Sequence, residues 1–272
     1  MTRIKEESMN YISKNGNSHI LIHSDVLYGY KIKFENQTQF LTQHLIELKE
    51  TCQTLDILMP TFNYDFCKGK PFDINKDESQ VGALSEYLRK NKSSWRSSTP
   101  VFNFSGTGIN PLPIIGSKVD PFDDSSMFGF LHKNKGLLMH YGSGLHTTTL
   151  IHYTERISGK LIYRYDKIFK GQVIGLNDSN HNVELRYHVR PKDCIIDYDW
   201  LKIETELLNS KIIDKYKEGR TQIIIMRIDK VVDFWLEKLN MDSFYFLKEK
   251  TCQWVKCKYN DLKRPFLITD FE

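Results

Sequence analysis

The fold is decided by SHILIH at Ser18–His23, QFLTQHLIEL at Gln39–Leu48 and LDILM at Leu55–Met59. The first and third pieces are short, apolar and rich in branched residues, which is typical of buried strands. In the second piece the apolar residues recur at helical spacing, which predicts an amphipathic helix. A strand–helix–strand order indicates a crossover unit with parallel pairing. We therefore expect an α/β or α+β fold in which helices flank a central mixed β-sheet.

The rest of the chain continues this alternation of helix and strand patterns. We expect further helices at 80–90 (with Ser79 as its cap), 125–132, 147–157, 199–216 and 231–239, and strands at 101–104, 136–141, 161–169, 172–189 and 221–228. Residues 177–180 are predicted as a turn, and 61–78 and 106–117 as loops. A loop as long as 61–78 in a compact enzyme usually borders a binding site. The aromatic-rich C-terminal part has no pattern that predicts an element.

Composition limits the classes of protein that fit. The chain has 272 residues, of which 40% are hydrophobic, and no Pro/Ser/Gly-rich linker divides it, so one domain spanning 1–272 is expected. A polar N-terminus and the lack of an 18-residue apolar run predict a protein without a membrane span. Five scattered cysteines indicate a reducing, cytoplasmic location, and neither they nor the histidines form a zinc pattern, so no metal is expected. The net charge of +4 without a basic stripe disfavours nucleic acid but suits anionic ligands.

The stretch with the most chemical content is GSGLHTTTLIHYTE at Gly142–Glu155. A buried strand, a glycine turn and a helix start present backbone N–H groups and hydroxyls to a ligand oxygen. Further along this helix, His152 and Glu155 are three residues apart and share a face. Histidine suits the deprotonation of an amine near neutral pH, and a carboxylate on its other nitrogen fixes the tautomer. The alternative is a helix histidine in a packed or surface position beside a solvated Glu155.

Two other polar clusters follow or precede predicted strands. His23, Ser24 and Asp25 lie at the carboxyl end of the first strand, where ligands collect in open α/β sheets; the alternative is a capped turn. Arg96 lies in WRSSTP just before a strand and has the donors to hold phosphate or amide oxygens; the alternative is a surface arginine in a polar loop. Cys67 has no local sign of activation, which disfavours a covalent route.

These motifs together resemble the aminoglycoside 3-N-acetyltransferase family, which is distinct from the GNAT acetyltransferases. The matching segments, in order, are His23-Ser24, Met59-Pro60-Thr61, GALSEYLR at Gly82–Arg89, Arg96-Ser97 and TLIHYTE at Thr149–Glu155. The resemblance covers about residues 16–240. It implies a mixed sheet flanked by helices, acetyl-CoA as the acyl donor and direct attack of an amine on the thioester.

The resemblance also implies roles for individual residues. His152 is the expected general base, with Glu155 beside it, and a later acidic residue, Asp199 or else Asp197, orients it. The residues expected along the coenzyme A groove are His23, Ser24, Arg96, Ser97 and Thr149. The expected substrate-binding residues are Asp25, Thr61, Tyr64 and Glu86.

One departure bears on the substrate. The chain has Thr99-Pro100 where the family has His-Pro, and Asn103 where the family has Ser. Since His152 is kept, the change argues for an altered substrate. The net positive charge, with Lys68, Lys70 and Lys76 in one loop, favours a nucleotide-linked amino sugar of the kind used for surface polysaccharides such as O-antigen. An aminoglycoside antibiotic is the alternative, and a catalytically idle binding protein is a third. The oligomeric state is expected to be a monomer or a homodimer.

Overall fold

The computed structural model describes residues 2–113, 116–176 and 179–272. Its strands are β1 His19–Ser24, β2 Asp56–Pro60, β3 Phe72–Asp73, β4 Trp95–Arg96, β5 Phe104–Gly106, β6 Lys118–Val119, β7 Leu137–Tyr141, β8 Tyr165–Leu176, β9 Ser179–Val189, β10 Ile213–Glu218 and β11 Thr221–Arg227. Its α-helices are α1 Arg3–Asn15, α2 Gln37–Cys52, α3 Ala83–Arg89, α4 Met127–Lys133, α5 Leu150–Ile157, α6 Trp200–Asn209, α7 Ile228–Met241 and α8 Glu249–Leu262. Short 3₁₀ turns lie at Val26–Tyr28, Tyr64–Lys68, Leu145–Thr147 and Ile268–Asp270.

The main sheet has seven strands in the order β10-β11-β7-β1-β2-β5-β4. At its centre β1 pairs in parallel with both β2 and β7, and the outer strands pair antiparallel. The crossover expected from residues 18–60 is therefore present, and the mixed sheet flanked by helices is confirmed. A smaller sheet, in the order β3-β8-β9-β6, is built on the long β8–β9 hairpin.

Strand alternation divides the core into two layers, one on each face of the main sheet. In β1, Ile20 and Ile22 pack with the cluster that contains α1, α2 and α3 residues. Leu21, between them, packs with the larger cluster, which includes α4, α5, α6 and α7 residues. Successive side chains of a strand point to opposite faces, so one strand serves both layers. The next residue on the face of Leu21 is His23, so its imidazole belongs to the α5 side of the sheet.

Four local predictions are corrected by the structure. The helix predicted for 199–216 ends at Asn209, and Ile213 begins a strand instead. This strand pairs along its whole length with β11 at the edge of the main sheet, and the pairing overrides the helical spacing. The strand predicted at 101–104 begins only at Phe104, and the helix predicted from 147 begins at Leu150 after a 3₁₀ turn.

The fourth correction concerns the start of α3. Its N-cap residue is Gly82, without a side-chain cap, rather than Ser79. The backbone N–H of Ser79 instead donates to the carboxylate of Glu86 at 2.8 Å. The predicted loop 106–117 and turn 177–180 lie partly outside the described residues. In the described part of the chain, the helices are all too short or too polar to cross a membrane.

Candidate active site

The strand β7 leads into α5 through a turn that requires glycine. Gly142 has φ of 78°, and a Cβ built there would lie 2.0 Å from the carbonyl oxygen of Asp25. A side chain would therefore force β7 and the loop after β1 apart. This close approach brings the polar residues after both strands to the carboxyl edge of the sheet, which is where open α/β sheets bind ligands.

His152 and Glu155 contact each other on α5, as the spacing predicted. The Nδ1 atom of His152 lies 2.9 Å from Oε2 of Glu155. A carboxylate only accepts hydrogen bonds, so Nδ1 carries the proton and the lone pair of His152 is on Nε2. No described residue bonds Nε2, and the His152 side chain is 23% exposed. The ring therefore presents its basic nitrogen to the outside of the network.

Glu155 is a fully buried carboxylate with donors on both oxygens. Oε1 accepts hydrogen bonds from the hydroxyls of Tyr163 at 2.7 Å and Tyr198 at 2.5 Å. Nε of Arg164 lies 3.4 Å from Oε2, and the same guanidinium donates to the Tyr198 hydroxyl at 2.7 Å. Burial acts to raise the pKa of Glu155, but Arg164 and the imidazole of His152 outweigh burial and hold that pKa well below its usual range. The carboxylate is therefore ionised.

His152 is neutral at pH 7 in this setting. Burial lowers its pKa, and the hydrogen bond to Glu155 opposes burial only in part. A second imidazole, that of His188, lies with its Nε2 3.7 Å from Oε2 of Glu155, and burial lowers its pKa to about 4. A neutral histidine whose Nδ1–H is fixed and whose Nε2 is free is suited to general-base catalysis.

His152, Glu155 and His188 also form a group whose ligand atoms lie within 4.8 Å of one another. Two imidazoles and a carboxylate are a donor set that metals accept. However, the Arg164 guanidinium already neutralises the carboxylate at 3.4 Å and would repel a metal cation. Oε2 of Glu155 is also already engaged by Nδ1 of His152 at 2.9 Å.

Two connected cavities lie beside α5. The inner cavity, of about 290 Å³, is lined by His23, Ser24, Tyr64 and Thr149 among others. Thr149 is the N-cap residue of α5 and comes three residues before His152, so this cavity lies next to the first turn of the helix that carries His152. The second cavity, of about 780 Å³, forms the outer part of the groove and shares Ser24, Gly82, Ser143 and Thr147 with the inner cavity. Together they form one groove across the carboxyl edge of the sheet.

The outer part of this groove is mostly apolar. Its lining includes Leu27, Tyr28 and Phe34, which are 62%, 50% and 54% exposed. Phe34 packs against Phe40 with ring centroids 4.4 Å apart. Exposed apolar side chains gathered in a groove indicate a ligand surface. Asp25 lines the same part, while its carboxylate caps the 3₁₀ turn at Leu27 with a 3.1 Å bond.

Five residues that were expected at the site form contacts within the protein: Arg96, Ser97, Thr61, Glu86 and Asp199. The Arg96 guanidinium donates to three backbone carbonyls, those of Thr61, Ile74 and Asp77. It also donates to the side chain of Asn103 and lies over the ring of Phe72. The hydroxyl of Ser97 accepts from Phe104 N at 2.9 Å. Arg96 therefore holds the loop after β2 to the sheet edge, and Ser97 bonds to β5. Their expected contacts with coenzyme A stay a prediction.

Two of the four expected substrate-binding residues, Thr61 and Glu86, are also engaged within the protein. Thr61 donates to Asn103 at 2.8 Å and is buried. Glu86 pairs with Arg89 at 2.7 Å. Asn103 thus accepts from both Arg96 and Thr61, which gives the departure from the family pattern at this position a structural role.

Asp199, the predicted acid that orients His152, caps a helix, and the carboxylate in contact with His152 is that of Glu155. Oδ1 of Asp199 accepts from Lys202 N at 3.0 Å at the start of α6, and Asp197 pairs with Lys248 at 2.8 Å. The residue between them, Tyr198, is the one that reaches the site. Four contacts of this network were not predicted from the sequence, because folding alone brings their segments to Glu155. The residues are Tyr163, Arg164, His188 and Tyr198. The one available signal was the polar stretch around Asp197 and Asp199.

The family comparison agrees with this architecture. A family model described as Aminoglycoside 3-N-acetyltransferase matches residues 41–240, which is more than half of the chain. The chain belongs to the aminoglycoside 3-N-acetyltransferase family. The expected class of enzyme, an acyltransferase with acetyl-CoA as co-substrate, is confirmed at the level of this family. Comparison with curated protein sequences gives no significant match.

Several solved structures share the fold of this chain at low sequence identity. Aminoglycoside acetyltransferase AAC(3)-IVa, as apoenzyme, has a TM-score of 0.67 at 18% identity over 90% of this chain and 91% of that one. AAC-IIIb in a binary complex with CoASH has 0.67 at 16% identity over 86% and 96%. The YokD protein from Bacillus subtilis has 0.65 at 12% identity over 89% and 95%. Chains that differ this much from the present one in sequence share its fold.

Proposed function

We propose that this chain transfers an acetyl group from acetyl-CoA to the amine of an amino sugar, with His152 as general base. The observation that carries the proposal is the 2.9 Å contact between Nδ1 of His152 and the buried, ionised Glu155. It leaves a neutral imidazole whose Nε2 has no partner among the described residues, on the helix whose N-cap residue, Thr149, lines the groove. The whole of 1–272 acting as one domain, a cytoplasmic location and a monomeric or homodimeric state belong to the same proposal.

The coenzyme is proposed to lie in the groove, with its thioester in the inner cavity. His23, Ser24 and Thr149 line that cavity, and the apolar outer part around Phe34 suits the pantetheine arm and an adenine ring. A family structure with bound CoASH supports acetyl-CoA as donor. The amine nitrogen attacks the carbonyl carbon, its proton passes to Nε2 of His152, the C–S bond breaks, and the imidazolium returns the proton to the departing sulfur.

A covalent route through Cys67 is disfavoured by the state of its thiol. Burial raises the pKa of Cys67 to about 11 and outweighs the nearby lysines. The thiol is therefore protonated and a poor nucleophile. We expect sequential kinetics, and a trapped acetyl-Cys67 would contradict direct transfer.

The acceptor sugar has two candidates. The excess of basic residues favours a nucleotide-linked amino sugar, but Lys68 and Lys70 both pair with Asp65, and Lys76 lies 3.7 Å from Asp73. The lysines that suggested a diphosphate are thus largely neutralised. Family structures bound to apramycin and sisomicin favour an aminoglycoside acceptor at least equally. Both classes present an amine on a sugar ring to the same base.

The test is thiol release from acetyl-CoA with panels of nucleotide-linked amino sugars and aminoglycosides. We expect His152→Ala and His152→Asn to lower kcat by roughly 10²-fold or more with little change in coenzyme A affinity. His132→Asn is the matched control, because the two histidine side chains are equally exposed at 23% and His132 contacts Tyr153 instead. Near-normal turnover in His152→Asn would remove His152 as the base. No release with any amine, despite coenzyme binding, would indicate an idle binding protein.

A further inference from the structure

His23 lines the inner cavity and has a buried nitrogen without a partner among the described residues. The residue is 6% exposed, and its Nε2 is bonded by no described residue. Thr149 lines the same cavity, and the alternation of β1 places the His23 side chain on the face of the sheet that carries α5. A buried nitrogen that is left without a hydrogen-bond partner is destabilising. Such a group in the lining of a cavity points to a ligand atom as its partner.

The neighbouring imidazole does not satisfy His23. His140 stacks on it with ring centroids 5.3 Å apart. Nε2 of His140 contacts the hydroxyl of Thr148 at 2.8 Å, and its Nδ1 lies 3.2 Å from the hydroxyls of Ser143 and Thr147. Both nitrogens of His140 are therefore used within the protein. His23 is the member of the pair that is available to a ligand.

His23 and His152 differ in the feature that sets their tautomers. Glu155 fixes the proton of His152 on Nδ1, which makes Nε2 of His152 an acceptor. No described carboxylate contacts His23, so its proton is free to reside on Nε2. Burial lowers the pKa of His23 to about 4, so the ring is neutral and carries one N–H. A neutral histidine with an outward N–H polarises a carbonyl without donating its proton.

We propose that Nε2–H of His23 donates a hydrogen bond to the carbonyl oxygen of the acetyl thioester and stabilises the negative charge that develops there. This inference rests on the proposed function, in which the thioester lies in the inner cavity. As the amine nitrogen bonds to the carbonyl carbon, the C=O electron pair moves to oxygen and the His23 hydrogen bond strengthens. The pair returns when the C–S bond breaks. His23 keeps its proton throughout, whereas His152 accepts the amine proton and passes it to sulfur.

The test compares His23→Leu, which has no donor, with His23→Gln, whose amide supplies one. We expect His23→Leu to lower kcat by roughly 10²- to 10³-fold, as for loss of an oxyanion donor, and His23→Gln to recover part of that loss. Coenzyme A, which has no acyl carbonyl, should bind all three proteins with similar affinity. His19→Gln is the matched control, because His19 lies on the same strand but contacts Ser18 and Phe130.

A second readout follows the carbonyl itself. Acetonyl-CoA, a ketone that replaces the thioester, should show a C=O infrared stretch at lower frequency on wild type than on His23→Leu, with His23→Gln in between. If His23→Leu does not fold, the C=O frequency of acetonyl-CoA on wild type is compared with its frequency on His23→Gln and in water. This comparison then decides whether His23 donates to the carbonyl.

The outcomes separate this inference from the proposed function. Equal carbonyl frequencies, or a His23→Leu enzyme with normal kcat, would overturn the donor role while wild-type turnover stands. Loss of the acid limb of the pH–rate profile in His23→Gln would also overturn it, because His23 would then be a base. A wild-type protein that releases no thiol with any amine would refute the proposed function itself, and the carbonyl shift of acetonyl-CoA would still report whether His23 donates.

Discussion

At Glu155, five side chains converge on one carboxylate. Two hydroxyls, two imidazoles and a guanidinium surround it, all within 3.7 Å of its oxygens. A buried charge is tolerated only where such partners replace water. The network therefore does two things at once: it keeps Glu155 ionised and fixes the orientation of the His152 ring.

Glu155→Gln tests both effects. The amide leaves Nδ1 of His152 without a charged acceptor and leaves the Arg164 guanidinium buried without a counter-charge. We expect kcat to fall by roughly 10²-fold or more and the free energy of unfolding to fall by about 3 kcal/mol. The measurements are steady-state kinetics and urea denaturation.

Tyr163→Phe is the control for Glu155→Gln. It removes one donor from Oε1 but leaves the contact between Glu155 and His152 in place. We expect a loss of about 1–3 kcal/mol in stability with a smaller effect on kcat. Equal kcat for wild type and Glu155→Gln would show that the carboxylate does not orient the base.

The pKa of His152 predicts the acid side of the pH–rate profile. Burial lowers this pKa below 6.5, and an imidazole protonated below its own pKa does not accept the amine proton. We therefore expect protonation of His152 to leave kcat/KM unchanged at pH 6.5 and above, and to lower kcat/KM only at pH values below 6.5. The measurement is kcat/KM for acetyl-CoA at saturating amine between pH 5 and 9. An acid limb centred at pH 7 or above that disappears in His152→Asn would contradict the direction of this shift.

At the scale of elements, the site is supplied by α5, by the α5–β8 and β9–α6 connections and by the end of β9. His152 comes from α5, and Thr149 is the N-cap residue of that helix. Tyr198 comes from the segment just before α6, whose first turn is capped by Asp199. The backbone N–H of Asp199 also donates to the carbonyl of Phe246 at 2.8 Å, which ties this segment to the C-terminal part of the chain.

Asp199→Ala separates a cap from a catalytic acid. Loss of the cap should lower the free energy of unfolding by about 1 kcal/mol, and kcat should stay within about twofold of wild type because Glu155, not Asp199, holds His152. Asp199→Asn, which keeps the capping oxygen, should be close to wild type in both respects. Thermal denaturation and thiol release measure the two quantities. A large loss of kcat in a folded Asp199→Asn protein would restore Asp199 as the orienting acid.

At the scale of the whole molecule, neutral histidines are part of the core. Burial lowers the pKa of His23, His44 and His188 to about 4 in each case. These side chains lie in different places: at the cavity, on α2 against Tyr141, and beside Glu155. Each stays neutral in the folded state at a pH where the unfolded chain binds a proton.

These three histidines predict a loss of stability in mild acid. Between pH 6.5 and 4 the unfolded state binds more protons than the folded state, so the free energy of unfolding rises with pH in that window. The contribution is complete above pH 6.5 and decreases toward pH 4, and each full shift corresponds to about 3 kcal/mol. Urea midpoints measured from pH 7.5 to 4.5 should therefore decrease steadily below pH 6.5. A midpoint that stays constant down to pH 4.5 would show that the histidines are protonated without unfolding.

The amino-acid sequence by itself determined the α/β sheet flanked by helices and the pairing of His152 with Glu155. Apolar periodicity is a local property, so it located β1, α2, β2 and β7 within a few residues. The pairing of His152 with Glu155 was equally predictable, because residues three apart on a helix are neighbours whatever the rest of the chain does. The edge strand β10 was missed, since its pairing with β11 is a long-range contact that overrides local helix spacing.

Only the tertiary structure decided what surrounds that pair. Tyr163, His188 and Tyr198 are separated from Glu155 by 8 to 43 residues, and no local period connects them. Arg96 and Asp199 had the right chemistry for ligands, but their donors and acceptors were taken up by nearby backbone groups. Buried polar groups must find partners wherever folding places them. For that reason the chemistry of a side chain is readable from the sequence, while its partner is set by the packed structure.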